Sequence, residues 1–243
     1  MNRPTLSAQG LRKRYGDREV VCGIDLKVAP GEIVGLLGPN GAGKTTTFNL
    51  IVGGVRPSEG RVFLGDREIT DLPMFRRARL GLTYLPQEPS IFRRLSVADN
   101  VNAILETVEP NKALRRERLH ELLQELGLGG KADLRGGSLS GGERRRVEVA
   151  RALVLDPKYM LLDEPFSGID PIAVIEIQKV IEHLKLRGIG IVVTDHNVRE
   201  TLSICDRAYI IKDGTILREG KPSEIAADAT VREIYLGQNF QLG

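Results

Sequence analysis

Gly38-Pro-Asn-Gly-Ala-Gly-Lys-Thr45 has the spacing G-x-x-x-x-G-K-[ST], a loop whose chemistry is the cradling of phosphate. Glycines at 38, 41 and 43 let the backbone curl until successive N–H groups face one anion. A helix expected to begin near Lys44 adds its positive end. Lys44 offers a point charge to the outer phosphates, and the Thr45 hydroxyl can ligate Mg²⁺. Pro39, Asn40, Ala42 and Thr46 complete the stretch expected to line the phosphates.

Two further groups could act with this loop. Tyr159-Met-Leu-Leu-Asp163-Glu164 is an apolar strand ending in paired carboxylates, the Walker B pattern. Strand ends in such sheets open on the ligand crevice. Asp163 is expected to hold Mg²⁺ through water, and Glu164 to take a proton from an attacking water. Leu139-Ser-Gly-Gly-Glu143 opens a helix with Ser140 and Glu143 in capping-box spacing. Gly141 and Gly142 in a first helical turn cost stability, which points to a close approach by another group. Ser140, Gly141 and Gly142 therefore form a second expected phosphate-binding tip.

The elements that must position these groups are legible in outline. Ile33 to Leu37 is a continuous apolar run, as in a strand covered on both faces. Val62–Leu64, Leu82–Leu85, Tyr159–Leu162, Ile191–Thr194 and Ala208–Ile211 are further short strand candidates. Helical patterns between several of them argue an α/β fold with a mostly parallel sheet. Asp213-Gly214 signals a hairpin into Thr215–Leu217. Between about residues 90 and 155 the pattern turns helical: Leu119, Leu122, Leu123 and Leu126 repeat at helical spacing, with Gly127 as a stop.

Composition narrows the classes. The 243 residues are 41% hydrophobic and 28% charged, which excludes a disordered chain, a collagen-like fibre and a disulfide scaffold. No apolar run approaches the roughly 18 residues of a membrane helix. The N-terminal stretch lacks the apolar segment of a signal peptide, so a cytosolic location is expected. Cys22 and Cys205, far apart and without metal-ligand spacing, are expected as buried free thiols. A net charge of +3 and 5% aromatic residues give no case for nucleic acid. The basic clusters at Arg76, Arg77 and Arg79, at Arg93 and Arg94, at Arg115, Arg116 and Arg118, and at Arg144 to Arg146 mostly read as solvated helix faces. His120 and His183 lie in helical patterns and read as surface or packing residues.

The phosphate loop, Gln87, LSGGE, the Walker B strand, Ser167-Gly-Ile-Asp170 and His196 together resemble the nucleotide-binding subunits of ABC transporters. The resemblance covers essentially the whole chain, in family order. It implies a P-loop (RecA-like) ATPase core with a small antiparallel β subdomain and an inserted helical subdomain. The implied domain spans residues 1–243, with core and β parts at about 1–89 and 156–243 and the helical lobe at about 90–155. It further implies a homodimer clamping two ATP molecules, each held between one subunit's phosphate loop and the other's LSGGE.

By the same resemblance Gln87 senses Mg²⁺ and the attacking water, and His196 bonds the γ-phosphate. Asp170 supports contact across the dimer, and Tyr15 stacks on adenine. The expected partners are separate inner-membrane transporter subunits, seated near Phe92 and Arg93. The presence of both Glu164 and His196 argues against a non-hydrolysing module. The long coiled-coil or zinc insertions and tandem copies of ABC ATPases that act on DNA or ribosomes are lacking.

Within the family, four stretches are similar to the ATPases of lipopolysaccharide export. They are Tyr84 to Ser96, Gly142 to Glu148, Asp195 to Thr201 and Tyr235 to Phe240. Pro89 and Ser167 are small departures that leave the hydrolytic set untouched. The ATPase of a branched-chain amino-acid importer is the alternative.

Overall fold

The strands buried at every position all fall in one of the two sheets of this chain. The computed structural model describes residues 4–242; residues 1–3 and 243, the ends of the expected domain, lie outside them. Strands β1 (Leu6–Tyr15), β2 (Arg18–Val28) and β3 (Ile33–Leu37) lead into helix α1 (Lys44–Val52). There follow β4 (Glu59–Leu64), β5 (Arg67–Glu68), α2 (Met74–Arg79) and β6 (Leu82–Leu85). The middle is helical: α3 (Val97–Leu105), α4 (Lys112–Glu125) and α5 (Gly141–Leu153). Then β7 (Tyr159–Asp163), α6 (Pro171–Leu186), β8 (Gly190–Thr194) and α7 (Val198–Ile204) alternate. The chain ends with β9 (Arg207–Lys212), β10 (Thr215–Gly220) and α8 (Pro222–Ala227), followed by two short helical turns.

The large sheet has six strands in the order β10-β9-β3-β8-β7-β6. All its pairs are parallel except β9 with β10. β3, β7 and β8 are buried at every position, as a parallel sheet covered by helices requires. The β9–β10 hairpin turns at Asp213 and Gly214, both with positive φ, as its sequence demands. The small sheet, β2-β1-β4-β5, is antiparallel, and its strands bury mainly one face. Register shifts at three places in the β1–β2 pairing break the simple alternation.

Two large apolar clusters hold these layers together. One joins the small sheet, through Leu11, Ile24 and Val62, to Phe48 and Ile51 of α1 and to Val34 and Leu161 of the large sheet. The other joins Met160, Leu162 and Val193 on the opposite face to Val101, Leu122, Val147 and Ile177. The helices α3–α5 thus share one core with α6 and the large sheet.

Three expectations need correction. Cys22 and Cys205 are free, but only Cys205 is buried. Cys22 alternates with Val21 on β2 and so falls on the less covered face of the small sheet. Arg77 is not solvated: it is 1% exposed and donates to the carbonyls of Leu50, Ile51, Thr70 and Leu72. The last carbonyls of α1 have no helical partner, and Arg77 supplies donors to them. Burial pushes its pKa down to about 10. Arg145 and Arg146 in the fourth basic stretch are likewise covered, at 8% and 14% side-chain exposure.

Candidate functional site

Parallel strands deliver their C-terminal ends to one edge, and every loop expected to do chemistry leaves from that edge. β3 runs into Gly38, β6 into Pro86-Gln87, β7 ends at Asp163 before Glu164, and β8 ends at Thr194 before Asp195-His196. Strand register fixes their relative heights: Leu85 pairs with Leu162, and Asp163 with Thr194.

The phosphate loop is shaped by close approach. A Cβ at Gly38 would lie 2.0 Å from the Ile211 carbonyl oxygen, and one at Gly43 would lie 2.7 Å from that of Val20. Gly43 also takes φ 102°, left-handed, to start α1. The amides of Gly41, Gly43, Lys44, Thr45 and Thr46 have no hydrogen-bond partner among the described residues. They form an open row of donors at a helix start. The Lys44 ammonium folds over the loop and donates to Gly38 O at 2.7 Å and Pro39 O at 2.9 Å. Burial lowers its pKa, against the opposing pull of Glu164 and Asp163. Val20, Asn40 and Glu164 line the same depression.

Three expected residues meet at one carboxylate. Gln87 donates its side-chain N–H to Glu164 Oε2 at 2.8 Å, and His196 Nδ1 lies 3.3 Å from the same oxygen. Glu164 stands at φ 45°, a left-handed backbone that a non-glycine residue adopts at a cost, and its amide donates to Thr194 O at 2.7 Å.

Asp163 is 3% exposed, and its Oδ2 accepts the Tyr84 hydroxyl at 3.0 Å. Burial raises the Asp163 pKa, and the hydrogen bond from Tyr84 opposes the rise. Burial and the facing carboxylate push the Tyr84 phenol upward, so it stays a donor. Thr45, Asp163 and Gln87 offer a hydroxyl, a carboxylate and an amide oxygen. An all-oxygen, incomplete set suits a hard divalent cation that keeps waters and phosphate oxygens as its other ligands. Among the described residues no cluster of three His, Cys, Asp or Glu side chains forms a closed metal site.

The LSGGE segment lies apart from the phosphate loop within this chain. Ser140 Oγ accepts the Glu143 amide at 3.2 Å, and Glu143 Oε2 accepts the Ser140 amide at 2.8 Å, the expected capping box. Lys131 pairs with the other Glu143 oxygen and, as the largest cause, holds that carboxyl below its usual range. A Cβ at Gly141 would meet Ile169 at 2.8 Å, and one at Gly142 would meet Ala173 at 2.7 Å. The glycines thus have a packing reason inside the chain as well. Gly141 shares a depression with Gln87, Arg144, Glu164 and Ser167, but no residue of 140–142 lines the phosphate-loop depression.

Tyr15 ends β1 half exposed, with the Lys13 ammonium 5.1 Å from its ring centroid. Asp170 caps α6, accepting the Ala173 amide at 3.0 Å. Phe92 is 47% exposed, with the Arg151 guanidinium 4.6 Å from its ring centroid; Arg93 and Arg94 are exposed beside it. An apolar groove lined by Met74, Ala78, Tyr84, Ile104 and Arg151 runs nearby. His120 and His183 are exposed on α4 and α6, as expected.

Sequence reasoning missed Asp195, Tyr84 and Arg145. Asp195 is fully buried and accepts the amides of Phe166 at 2.9 Å and Asn197 at 2.8 Å, which ties the loops after β7 and β8 together. Its signal was an acid directly before His196 at a strand end. Arg145 donates to Asp163 O at 3.2 Å. Its signal was a charge three residues before Glu148 on an apolar helix face.

The family pattern described as ABC transporter matches residues 21–167. The lipopolysaccharide export system ATP-binding protein LptB of Acidithiobacillus ferridurans is 60% identical over 237 residues, covering 98% of each chain. The ADP conformation of MJ1267, an ATP-binding cassette of an ABC transporter, superimposes with a TM-score of 0.87 at 28% identity. It covers 97% of this chain and 99% of that one. A dimeric post-hydrolysis state of the ATP-binding cassette MJ0796, bound to ADP and Pi, gives a TM-score of 0.78 at 26% identity. It covers 89% of this chain and 98% of that one.

Proposed function

This chain belongs to the ABC transporter ATP-binding family, and from that membership we propose that it is the ATPase subunit that drives lipopolysaccharide export from the inner membrane. It is an ATP hydrolase. The observation that carries this reading is the convergence of Gln87 and His196 on Glu164 at the sheet edge that also carries the phosphate loop. Full-length similarity to LptB supports the choice of transported lipid.

The chain's own residues divide the work. The open amides of Gly41 and of residues 43–46, with the Lys44 ammonium, bind the outer phosphates of ATP. Thr45, Asp163 and Gln87 would hold Mg²⁺, which when bound would neutralise developing phosphate charge. Glu164 takes a proton from the attacking water, while Gln87 and His196 aim its carboxylate; His196 also reaches the γ-phosphate. Ser140, Gly141 and Gly142 act on the nucleotide of a second copy, since they stand outside this chain's phosphate-loop depression. The dimeric MJ0796 cassette supports that arrangement. Tyr15 stacks on the adenine.

No described helix is long and apolar enough to cross a membrane. The homodimer works on the cytoplasmic face of the inner membrane, attached to LptF and LptG with LptC through the surface around Phe92 and Arg93. The test is reconstitution: the protein, co-purified with those subunits from detergent-solubilised membranes, should release lipopolysaccharide from liposomes only with hydrolysable ATP. ATP turnover without lipid release, and no membrane subunits recovered, would overturn the export reading while leaving the ATPase intact.

A further inference from the structure

We propose that the Tyr84 hydroxyl is a positioning group for Asp163: it holds one carboxylate oxygen so that the other faces the divalent cation that arrives with the nucleotide. The inference rests on the Mg²⁺-ATP reading above and deepens it.

The placement follows from strand register. Tyr84 on β6 pairs with Leu161 on β7, and Asp163 lies two residues further along β7 on the same face. A diagonal neighbour at that spacing is within reach of a long aromatic side chain. Tyr84 spans it and donates to Asp163 Oδ2 at 3.0 Å. The tyrosine ring meets Phe48 edge-on, with centroids 6.5 Å apart at 67°. Phe48 sits on α1, three residues after Thr45. The ring is therefore braced on the helix that carries another proposed metal ligand, the Thr45 hydroxyl.

A phenylalanine would fill the same space, so the hydroxyl has one evident partner, the buried carboxylate. Asp163 Oδ1 has no hydrogen-bond partner among the described residues, which leaves it free to turn toward a cation. Partners of this kind orient a ligating carboxylate, and their loss typically costs roughly 10- to 100-fold in metal affinity or activity.

The test compares wild type, Tyr84→Phe and Lys44→Ala. A fluorescent ATP analogue measures binding in EDTA, and Mn²⁺ affinity of the protein–ATP complex is read from free Mn²⁺ by electron paramagnetic resonance, with ATP alone as the blank. Tyr84→Phe should bind ATP in EDTA like wild type while its Mn²⁺ affinity falls roughly tenfold or more. Unchanged Mn²⁺ affinity overturns the proposal. So does a parallel loss of metal-free ATP binding, which would make the hydroxyl a packing group. Lys44→Ala should weaken ATP binding roughly 10- to 100-fold under both conditions. If instead wild type gains no Mn²⁺ affinity over ATP alone, the Mg²⁺-ATP reading fails and takes this proposal with it.

Discussion

Arg145 and Glu148, one helical turn apart on α5, form a buried ion pair at 3.1 Å whose remaining bonds grip both ends of the segment carrying Gln87. Arg145 donates to Pro86 O at 2.9 Å, and Glu148 accepts the Ser90 amide at 2.6 Å. Removing one partner strands a buried charge, so Arg145→Ala should lower unfolding free energy by about 3–5 kcal/mol in denaturant titration. Arg145→Met combined with Glu148→Leu should cost less than Arg145→Ala alone. Simple addition of the two single losses would show that the pair does not act as a unit.

Lys44→Ala removes the cation above the phosphate loop. ATP binding should weaken roughly 10- to 100-fold, the worth of a charge-assisted hydrogen bond, and turnover should vanish. Calorimetric titration and phosphate release measure the two effects. Ordinary turnover in this variant would displace the site from the loop.

Glu164→Gln keeps the shape that Gln87 and His196 hold but cannot accept a proton. Hydrolysis should slow roughly 10²- to 10⁴-fold with ATP still bound. A dimer should then accumulate in light scattering with ATP and Mg²⁺. A strictly monomeric sample under those conditions would remove the main support for the clamp.

Ser140 and Lys44 should work in trans. Mixing Ser140→Ala with Lys44→Ala subunits leaves one site of the mixed dimer intact and the other doubly damaged. Partial recovery of hydrolysis over either parent is the expected outcome; no recovery, for sites that fire independently, contradicts a shared site.

Arg93→Ala should separate coupling from chemistry. The Arg93 side chain is exposed, and among the described residues its one bond, from the Gly137 amide to Arg93 O at 2.9 Å, involves backbone alone. Phosphate release by the isolated protein should therefore stay within about twofold, since surface changes of this kind move stability little. Co-purification of membrane subunits should drop. Lost soluble activity with assembly intact would place Arg93 in the hydrolytic apparatus.

What was legible in the sequence was whatever depends on local rules. Gly38 to Thr45, the strand into Asp163-Glu164, the Ser140–Glu143 box and the Asp213-Gly214 turn each name their own geometry through spacing and φ demands. The strands β1 and β2 were not legible, because bulges between Ala8 and Arg14 shift the two-residue alternation that marks a half-buried strand. Arg77, Arg145 and Asp195 were hidden for another reason. A charged residue reads as solvated until the chain brings acceptors or donors to it from far away, here Leu50 O, Pro86 O and the Phe166 amide.

The left-handed backbone at Glu164 has a consequence for inheritance. At φ 45° a glutamate carries a conformational penalty of about 1 kcal/mol, which glycine escapes and asparagine tolerates better. Selection for ATP turnover holds that penalty in place. In a lineage where turnover no longer matters, the same site becomes one route to a sturdier fold. Descendants of this sequence that have given up hydrolysis should drift toward glycine or asparagine there, and should melt at higher temperature than their working ancestors.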